Sequence, residues 1–266
     1  MHRTLIDVDA LRELGRRARL IDCRAGLRDP GYGRQAYEQG HIPGAQHGDL
    51  DRDFAAPPGP GGRHPLPDRA TLAERFAAWG VSDEDQLVFY DDAGGAFAGR
   101  GWWLARWCGH AAAAVLDGGL NAWPEALTTA STVPERGNFS LRPPLTRIVG
   151  VADIETNTAA LTLIDARAQR RFDGLEEPID PVAGHIPGAL CRPFQGNLDA
   201  AGCFLPAPQL RERFADLADN PVCYCGSGVT AAHNVLAMRL AGFDEPALYP
   251  GSWSEWINDP QRPIAP

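Results

Sequence analysis

The stretch GHIPGA occupies residues 40–45 and occurs again, unchanged, at residues 184–189. A second motif precedes it both times, as LIDCRA at 20–25 and as LIDARA at 163–168. Two further matches follow in the same order, LVFYDDAGG with PVCYCGSG and VLDGGLNAW with LYPGSWSEW. Four ordered matches at nearly constant spacing indicate an internal duplication. We therefore predict two copies of one structural unit.

The connections between the motifs set the predicted domain boundaries. The first copy contains a longer connection, DRDFAAPPGPGGRHPLPDRA, whose Pro and Gly content is typical of a loop. The polar, proline-bearing segment TTASTVPERGNFSLRPP separates the copies and is typical of a linker. We predict an amino-terminal domain at 1–127, a linker at 128–147 and a carboxyl-terminal domain at 148–266.

Each copy alternates short apolar runs with helix-like segments. QLVFYD and PVCYC are β-rich, while DRATLAERFAAWG and VTAAHNVLAMRLAGF have the length and composition of helices. Strands that alternate with helices indicate βαβ units. The fold class predicted for each domain is α/β, a mainly parallel sheet with helices on both faces.

The composition argues against several classes of protein. A net charge of −9 argues against a nucleic-acid partner, because phosphate backbones attract basic surfaces. The chain contains neither a signal-like apolar core near its start nor a run of about 18 apolar residues, so we expect no membrane partner. Six scattered cysteines without a CxxC pair argue against a zinc site and fit a reducing cytoplasm. There is no lysine, so any cationic site must use arginine, histidine or backbone N–H groups.

The stretch CYCGSGVTAAHN (223–234) has the pattern of a strand, a tight loop and a helix. Gly226 and Gly228 allow the loop to curl so that successive N–H groups point inward. The helix amino terminus adds the positive end of its dipole. Such a cradle stabilises a thiolate at Cys225, or a persulfide anion formed on it, which predicts a cysteine nucleophile.

Other interpretations of this cysteine must be weighed. A cysteine that ends a strand is usually a small buried apolar residue, and Cys223 fits that description. Asp91 takes the place of Cys225 in the first copy, which indicates one active and one silent copy. A cysteine-based phosphatase would need an arginine six positions after the cysteine, where this chain has Ala231.

These motifs together resemble the tandem-domain rhodanese superfamily over nearly the whole chain, and CGSGVTA resembles its 3-mercaptopyruvate sulfurtransferase branch. The resemblance implies ping-pong sulfur transfer without a cofactor, from a small anionic donor through a Cys225 persulfide to a thioredoxin, a small thiol or cyanide. The uncharged Gly226 and Ser227 argue against thiosulfate, since the thiosulfate branch has basic residues there. A thiosulfate:cyanide sulfurtransferase and a non-catalytic rhodanese-like module stay open as alternatives.

The resemblance also implies roles for individual residues. Ser227 would assist proton movement, paired with His41 of the first GHIPGA, whereas His185 of the second would be structural. Arg171 would grip the donor carboxylate, as the forked guanidinium suits a carboxylate. The N–H groups that would hold the persulfide belong to the loop residues Gly226, Ser227, Gly228, Val229 and Thr230.

Two positions depart from the family pattern. Ile179 stands where the mercaptopyruvate branch has a second carboxylate-binding arginine, and Arg192 or Arg34 are the candidates to replace it. The acidic residue that would orient His41 has only an approximate match, Asp29. The acid–arginine pairs of the two LIDxR motifs are predicted to be scaffold ion pairs, Asp22 with Arg24 and Asp165 with Arg167.

Overall fold

The computed structural model describes residues 1–157, 160–217 and 219–266. Contacts between residues divide the chain into two compact units. The first unit comprises Met1–Ala56, Pro67–Leu145 and Ala200–Cys203, and the second comprises Pro57–Leu66, Thr146–Asp199 and Phe204–Pro266. The segment Pro57–Leu66, which lies within the long connection of the first copy, is thus part of the second unit.

The first unit is built on a parallel sheet with the strand order β1-β5-β4-β2-β3. Its central strand β4 is buried at every position, as expected of a sheet covered on both faces. The strands are β1 (Leu5–Ile6), β2 (Ala18–Asp22), β3 (Gln46–His47), β4 (Gln86–Tyr90) and β5 (Ala113–Leu116).

Helices connect these strands, and their starts follow local capping rules. Asp7 accepts a hydrogen bond from the Ala10 N–H at the start of the first helix, and Asp68 accepts one from the Thr71 N–H at the start of the third. The helices of the first unit are α1 (Val8–Leu14), α2 (Tyr32–Gln39), α3 (Arg69–Ala78) and α4 (Ala98–Trp107). Short 3-10 turns occupy Gly15–Arg17 and Gly119–Ala122.

The second unit repeats this architecture around a parallel sheet of order β7-β6-β8-β9. Its strands are β6 (Thr162–Asp165), β7 (Leu190–Cys191), β8 (Pro221–Tyr224) and β9 (Ala247–Leu248). Its helices are α5 (Val151–Asn157), α6 (Gln169–Phe172), α7 (Ala207–Arg213), α8 (Ala231–Leu240) and α9 (Ser252–Trp256), with a 3-10 turn at Phe194–Asn197. The predicted α/β class is confirmed for both units. None of the described helices is long and apolar enough to cross a membrane.

A buried ion pair explains why the two repeated motifs occur together. In the first unit, Arg24 donates from Nε and Nη2 to the carboxylate of Asp22, at 2.6–3.0 Å. Its Nη2 also donates to the carbonyl of Gly40, the first residue of GHIPGA, at 2.7 Å. Tyr90 at the end of β4 donates to Asp22 at 2.9 Å. The strand motif is therefore tied to the GHIPGA turn by hydrogen bonds.

The second unit contains the same arrangement. Arg167 donates to Asp165 from Nε at 3.0 Å and from Nη2 at 2.7 Å, and it reaches the carbonyl of Gly184 at 2.7 Å. Both arginines and both aspartates are buried. The structure confirms the prediction that these four residues are scaffold ion partners.

Removing one arginine of this scaffold should destabilise the protein strongly. We expect Arg24→Ala to lower the free energy of unfolding by about 3–5 kcal/mol, because it leaves the buried Asp22 without its counter-charge. Arg34→Ala, which removes the exposed pair with Glu38, should cost less than about 1 kcal/mol. Urea unfolding of both variants measures the difference, and equal losses would contradict the assigned role.

Candidate functional site

The loop that carries Cys225 is held from one side by α9. Cys225 follows β8, and its N–H donates to the Ser252 hydroxyl at 3.1 Å. The carbonyl of Cys225 accepts from the Trp253 N–H at 3.0 Å, and that of Gly226 accepts from the Ser254 N–H at 2.8 Å. The motif LYPGSWSEW, the counterpart of VLDGGLNAW in the first copy, therefore fixes the backbone of the cysteine loop.

A glycine is required at one position of this loop. Gly228 has a φ of +76°, and a Cβ there would lie 2.3 Å from the carbonyl oxygen of Pro250. Val229 is buried and precedes Thr230, the residue before α8. The first residues of α8 are buried on every side of the helix rather than along a single stripe. The loop is consequently confined between β8, α8 and the start of α9.

The corresponding loop of the first unit is filled by a carboxylate. Asp91 is fully buried, and its two oxygens accept four backbone N–H groups at 2.8–2.9 Å. The donors are the N–H groups of Ala93, Gly95, Phe97 and Ala98. Burial raises the pKa of Asp91, and these hydrogen bonds act in the opposite direction. The strand-to-helix turn of this fold therefore has the geometry of an anion cradle.

The two turns share further contacts. The Leu120 N–H donates to the carbonyl of Asp91 at 2.8 Å, just as Trp253 donates to Cys225. Gly94 and Gly228 occupy matching positions and both have positive φ. When Asp91 is aligned with Cys225, three of the four amides that donate to Asp91 have counterparts in the second unit. These counterparts are the amides of Ser227, Val229 and Ala231. The second unit thus places a thiol where the first places a carboxylate.

Ser227 pairs with a histidine that the sequence analysis did not select. Its hydroxyl lies 2.6 Å from Nδ1 of His64, and both side chains are buried. His64 belongs to the segment Pro57–Leu66, which is part of the second unit. The sequence offered one signal for His64. It lies in the long connection of the first copy, which has no counterpart in the second copy.

The expected pairing of Ser227 with His41 is corrected by this contact. His41 is buried in the first unit, with Nδ1 2.8 Å from the carbonyl oxygen of Tyr37 and its ring stacked on that of Tyr37 at 3.7 Å. His185 makes the equivalent contacts with Phe172, at 2.8 Å and 3.6 Å. The histidine of GHIPGA therefore has the same packing role in both copies.

Two arginines lie next to Gly226. A Cβ on Gly226 would lie 2.7 Å from Nη2 of Arg63 and 3.6 Å from Nη2 of Arg171. Arg171 donates to Glu177 at 2.7 Å and to Asp180 at 3.1 Å, and Arg63 donates to Asp180 at 2.8 Å. Arg171 was expected at this site from the sequence, whereas Arg63 was not, because it is distant from Gly226 along the chain.

The other residues suggested by the family pattern have partners elsewhere. Arg192 pairs with Asp216, and Arg34 pairs with Glu38 in the first unit. Asp29 accepts the N–H of Gly31 at 3.1 Å. The N–H of Ile179 donates to Glu177 at 3.1 Å. Ile179 therefore contributes a backbone hydrogen bond, and no charge, to the carboxylate that pairs with Arg171.

None of the six cysteines, all of which lie in the described part of the chain, forms a disulfide bond. Cys223 lies within β8, and burial raises the pKa of its thiol well above the ordinary value. Cys225 is also buried but follows the strand and enters the loop. Cys223 is therefore a buried strand residue, whereas Cys225 belongs to the loop.

Comparison with known proteins identifies the family. The model of the rhodanese-like domain matches residues 7–126 and again residues 151–259. The chain belongs to the rhodanese family. The two matched ranges correspond to the two copies of the repeat.

Among related rhodanese proteins, one from Pseudomonas aeruginosa named "Probable 3-mercaptopyruvate sulfurtransferase" is 51% identical over 259 residues, covering 92% of this chain and 91% of the relative. A "Thiosulfate/3-mercaptopyruvate sulfurtransferase 2" of Arabidopsis thaliana is 34% identical over 86% of this chain and 76% of the relative. The crystal structure of the 3-mercaptopyruvate sulfotransferase SseA from Escherichia coli superposes with a TM-score of 0.81 at 29% identity, covering 95% of this chain and 100% of that one.

The matched positions of the two rhodanese units allow a stability test of the cradle. Asp91→Ala should lower the free energy of unfolding by about 3 kcal/mol, because it leaves several buried N–H donors without an acceptor. Cys225→Ala at the equivalent position should cost about 1 kcal/mol, since it removes a small side chain. Denaturant unfolding of the two variants compares them, and a smaller loss for Asp91→Ala than for Cys225→Ala would refute the anion-cradle interpretation.

Proposed function

We propose that this protein is a sulfurtransferase that carries a sulfur atom on Cys225, with 3-mercaptopyruvate as the favoured donor. The observation that carries the proposal is the carboxylate of Asp91 in the first unit, which accepts four backbone N–H groups at the turn whose counterpart in the second unit carries Cys225. A cradle that accommodates a carboxylate suits a thiolate and a persulfide anion. The names of the relatives, which include 3-mercaptopyruvate and thiosulfate sulfurtransferases, support this class of reaction.

In the first half-reaction, the thiolate of Cys225 attacks the sulfur of 3-mercaptopyruvate. A sulfur–sulfur bond forms and the carbon–sulfur bond of the donor breaks, with its electron pair passing to carbon as the enolate of pyruvate. The enolate takes one proton and leaves as pyruvate. The outer sulfur of the Cys225 persulfide is anionic once its own proton is lost, and the N–H groups of residues 226–230 and of the start of α8 stabilise it.

Ser227 and His64 form the proton-handling pair of this proposal. The short contact between the Ser227 hydroxyl and Nδ1 of His64 supports a relay, because a buried hydroxyl and an imidazole can exchange protons with a neighbouring group. The proton released by the donor thiol can be returned through this pair to the enolate carbon. The half-reaction then neither takes up nor releases a net proton.

In the second half-reaction, an acceptor attacks the outer sulfur and restores the Cys225 thiolate. A thiol acceptor, such as a thioredoxin or a small thiol, leaves as a persulfide, and cyanide leaves as thiocyanate. No cofactor takes part in either step of this proposal. We place the reaction in a reducing cytoplasm, and the six cysteines, none of which forms a disulfide bond, support this placement. The net charge of −9 and the described helices give no support for a nucleic-acid or membrane partner.

Thiosulfate is the second candidate donor because two relatives carry both names and another, 38% identical over 98% of this chain, is named "Putative thiosulfate sulfurtransferase SseB". The two arginines beside Gly226 favour a carboxylate, since a guanidinium fork can bond both of its oxygens. The balanced charge of their network, which also contains Glu177 and Asp180, disfavours a dianion. Turnover with each donor alone would decide between them, and a tenfold preference for thiosulfate would overturn the assignment of the donor.

Wild-type protein treated with 3-mercaptopyruvate should gain the mass of one sulfur atom, and Cys225→Ser should gain none. The gain follows from formation of a persulfide on a single thiol. Intact-mass measurement before and after addition of an acceptor checks both half-reactions. Cys223→Ser is the matched control and should still gain the sulfur, whereas loss of the gain in that variant alone would contradict the assignment to Cys225.

His64→Asn should lower kcat by about 100-fold, because it removes the group that relays the proton. His41→Asn, which changes a histidine packed in the first unit, should leave kcat of the folded protein within about twofold. The measurement is steady-state kinetics with 3-mercaptopyruvate, referred to the folded fraction determined by circular dichroism. A large loss of kcat in His41→Asn together with full activity in His64→Asn would instead support the pairing of Ser227 with His41.

A further inference from the structure

We propose that Arg63 is a specificity-determining residue of the donor subsite and binds the donor carboxylate together with Arg171. This inference rests on the proposed sulfur transfer and adds to it the source of the second cation. The resemblance to the mercaptopyruvate branch implied a second arginine at position 179, where this chain has the apolar side chain of Ile179. In the structure the guanidinium of Arg63, which comes from a different segment of the chain, lies next to Gly226 in the cysteine loop.

The backbone of Arg63 is fixed within the second unit. Gly59 and Gly62 exchange N–H to carbonyl hydrogen bonds at 3.1 and 2.9 Å, which closes a tight turn just before it. The Arg63 N–H donates to the Ser254 hydroxyl at 3.0 Å. Asn258 donates to the carbonyl of Pro60 at 3.1 Å. The turn therefore holds Arg63 against the same helix, α9, that holds the cysteine loop.

The side chain of Arg63 is oriented by a buried carboxylate. Nε and Nη2 of Arg63 donate to the two oxygens of Asp180, at 2.8 and 3.1 Å. Asp180 is 1% exposed in its side chain, and it also accepts from Nη2 of Arg171 at 3.1 Å. One carboxylate thus holds two guanidinium groups side by side.

Both arginines keep donors for a ligand. Among the hydrogen bonds of the described chain, neither Nη1 of Arg63 nor Nη1 of Arg171 has an acceptor, while Nε and Nη2 of each are used. The side chain of Arg63 is 27% exposed and that of Arg171 is 14% exposed. A small anion can therefore reach these groups without displacing Asp180.

Gly226 brings the cations close to the nucleophile. Because it has no side chain, Nη2 of Arg63 can lie 2.7 Å from the position that a Cβ would take. Gly226 follows Cys225 directly, so a carboxylate bound by the two guanidinium groups leaves the donor sulfur near the thiol. In 3-mercaptopyruvate the sulfur and the carboxylate oxygens are joined through three carbons, which suits neighbouring subsites.

The charges of the network favour a monoanion. Arg63 and Arg171 are balanced by Asp180 and Glu177. Burial opposes ionisation of Glu177, but hydrogen bonds from Arg171 and from the N–H groups of Asp180 and Ile179 keep its pKa below the ordinary value. The four charges of the network sum to about zero, so the subsite gains little by binding a second negative charge. Directed hydrogen bonds, rather than excess positive charge, would select the donor.

The test compares donors that differ only in the carboxylate. We expect Arg63→Ala to raise KM for 3-mercaptopyruvate by about 10- to 100-fold, the usual range for losing a charge-assisted hydrogen bond. KM for mercaptoacetone, in which a methyl group replaces the carboxylate, should stay within about twofold. Arg63→Lys, which keeps the charge but loses the fork, should fall between wild type and Arg63→Ala. Arg170→Ala, which removes an exposed arginine paired with Glu176, is the matched control and should change neither constant.

The outcomes separate this inference from the proposed function. An unchanged KM for 3-mercaptopyruvate in Arg63→Ala, with persulfide still formed, would overturn the role of Arg63 and leave sulfur transfer intact. Equal increases in KM for both donors would also overturn it, since they would indicate a purely structural effect on the loop. Absence of a persulfide in the wild type would instead contradict the proposed function. Should Arg63→Ala fail to fold, the ratio of the two KM values in Arg63→Lys gives the same decision.

Discussion

The convergence of backbone N–H groups at the turn between a strand and a helix is the constraint on which the rest of this molecule depends. In the first unit the carboxylate of Asp91 accepts four of these groups while fully buried. Such a group is tolerated away from water only because every oxygen is hydrogen-bonded. The second unit keeps the supporting contacts and replaces the carboxylate with Cys225. The two turns share the supporting contacts of this backbone, and the exchange of Asp91 for Cys225 is the difference that bears on a reactive anion.

The duplication explains how much of the fold could be predicted. The repeated motifs predicted two α/β units, and the pairs Asp22–Arg24 and Asp165–Arg167 were identified as scaffold because they occur in both copies. The same logic, applied consistently, would have classed His41 as scaffold too, since His185 stands at its place in the second copy. A residue present at the same place in both copies serves what the two units share, which is packing. Residues specific to the proposed reaction are expected where the copies differ.

The remaining site residues could not be predicted because their contacts are distant in sequence. His64 is 163 residues from Ser227, and Arg63 is 117 residues from Asp180. Spacing rules describe neighbours on one helix, strand or turn, and they carry no information about which loop packs against which. The segment Pro57–Leu66 also lacks a counterpart in the second copy, so comparison of the repeats could not assign it. Its composition predicted a loop but not the unit to which the loop belongs.

The position of Arg63 changes the physical basis for donor selection. Gly226 and Ser227 carry no charge, and on the sequence alone this placed donor selection in the loop itself. The structure instead brings guanidinium groups to Gly226 from outside the loop, and Asp180 holds them in place. In the proposed reaction two functions are thereby assigned to different groups, the anionic sulfur to backbone amides and the donor carboxylate to side-chain forks. The missing side chain of Gly226, the residue after Cys225, is what leaves room for the guanidinium of Arg63.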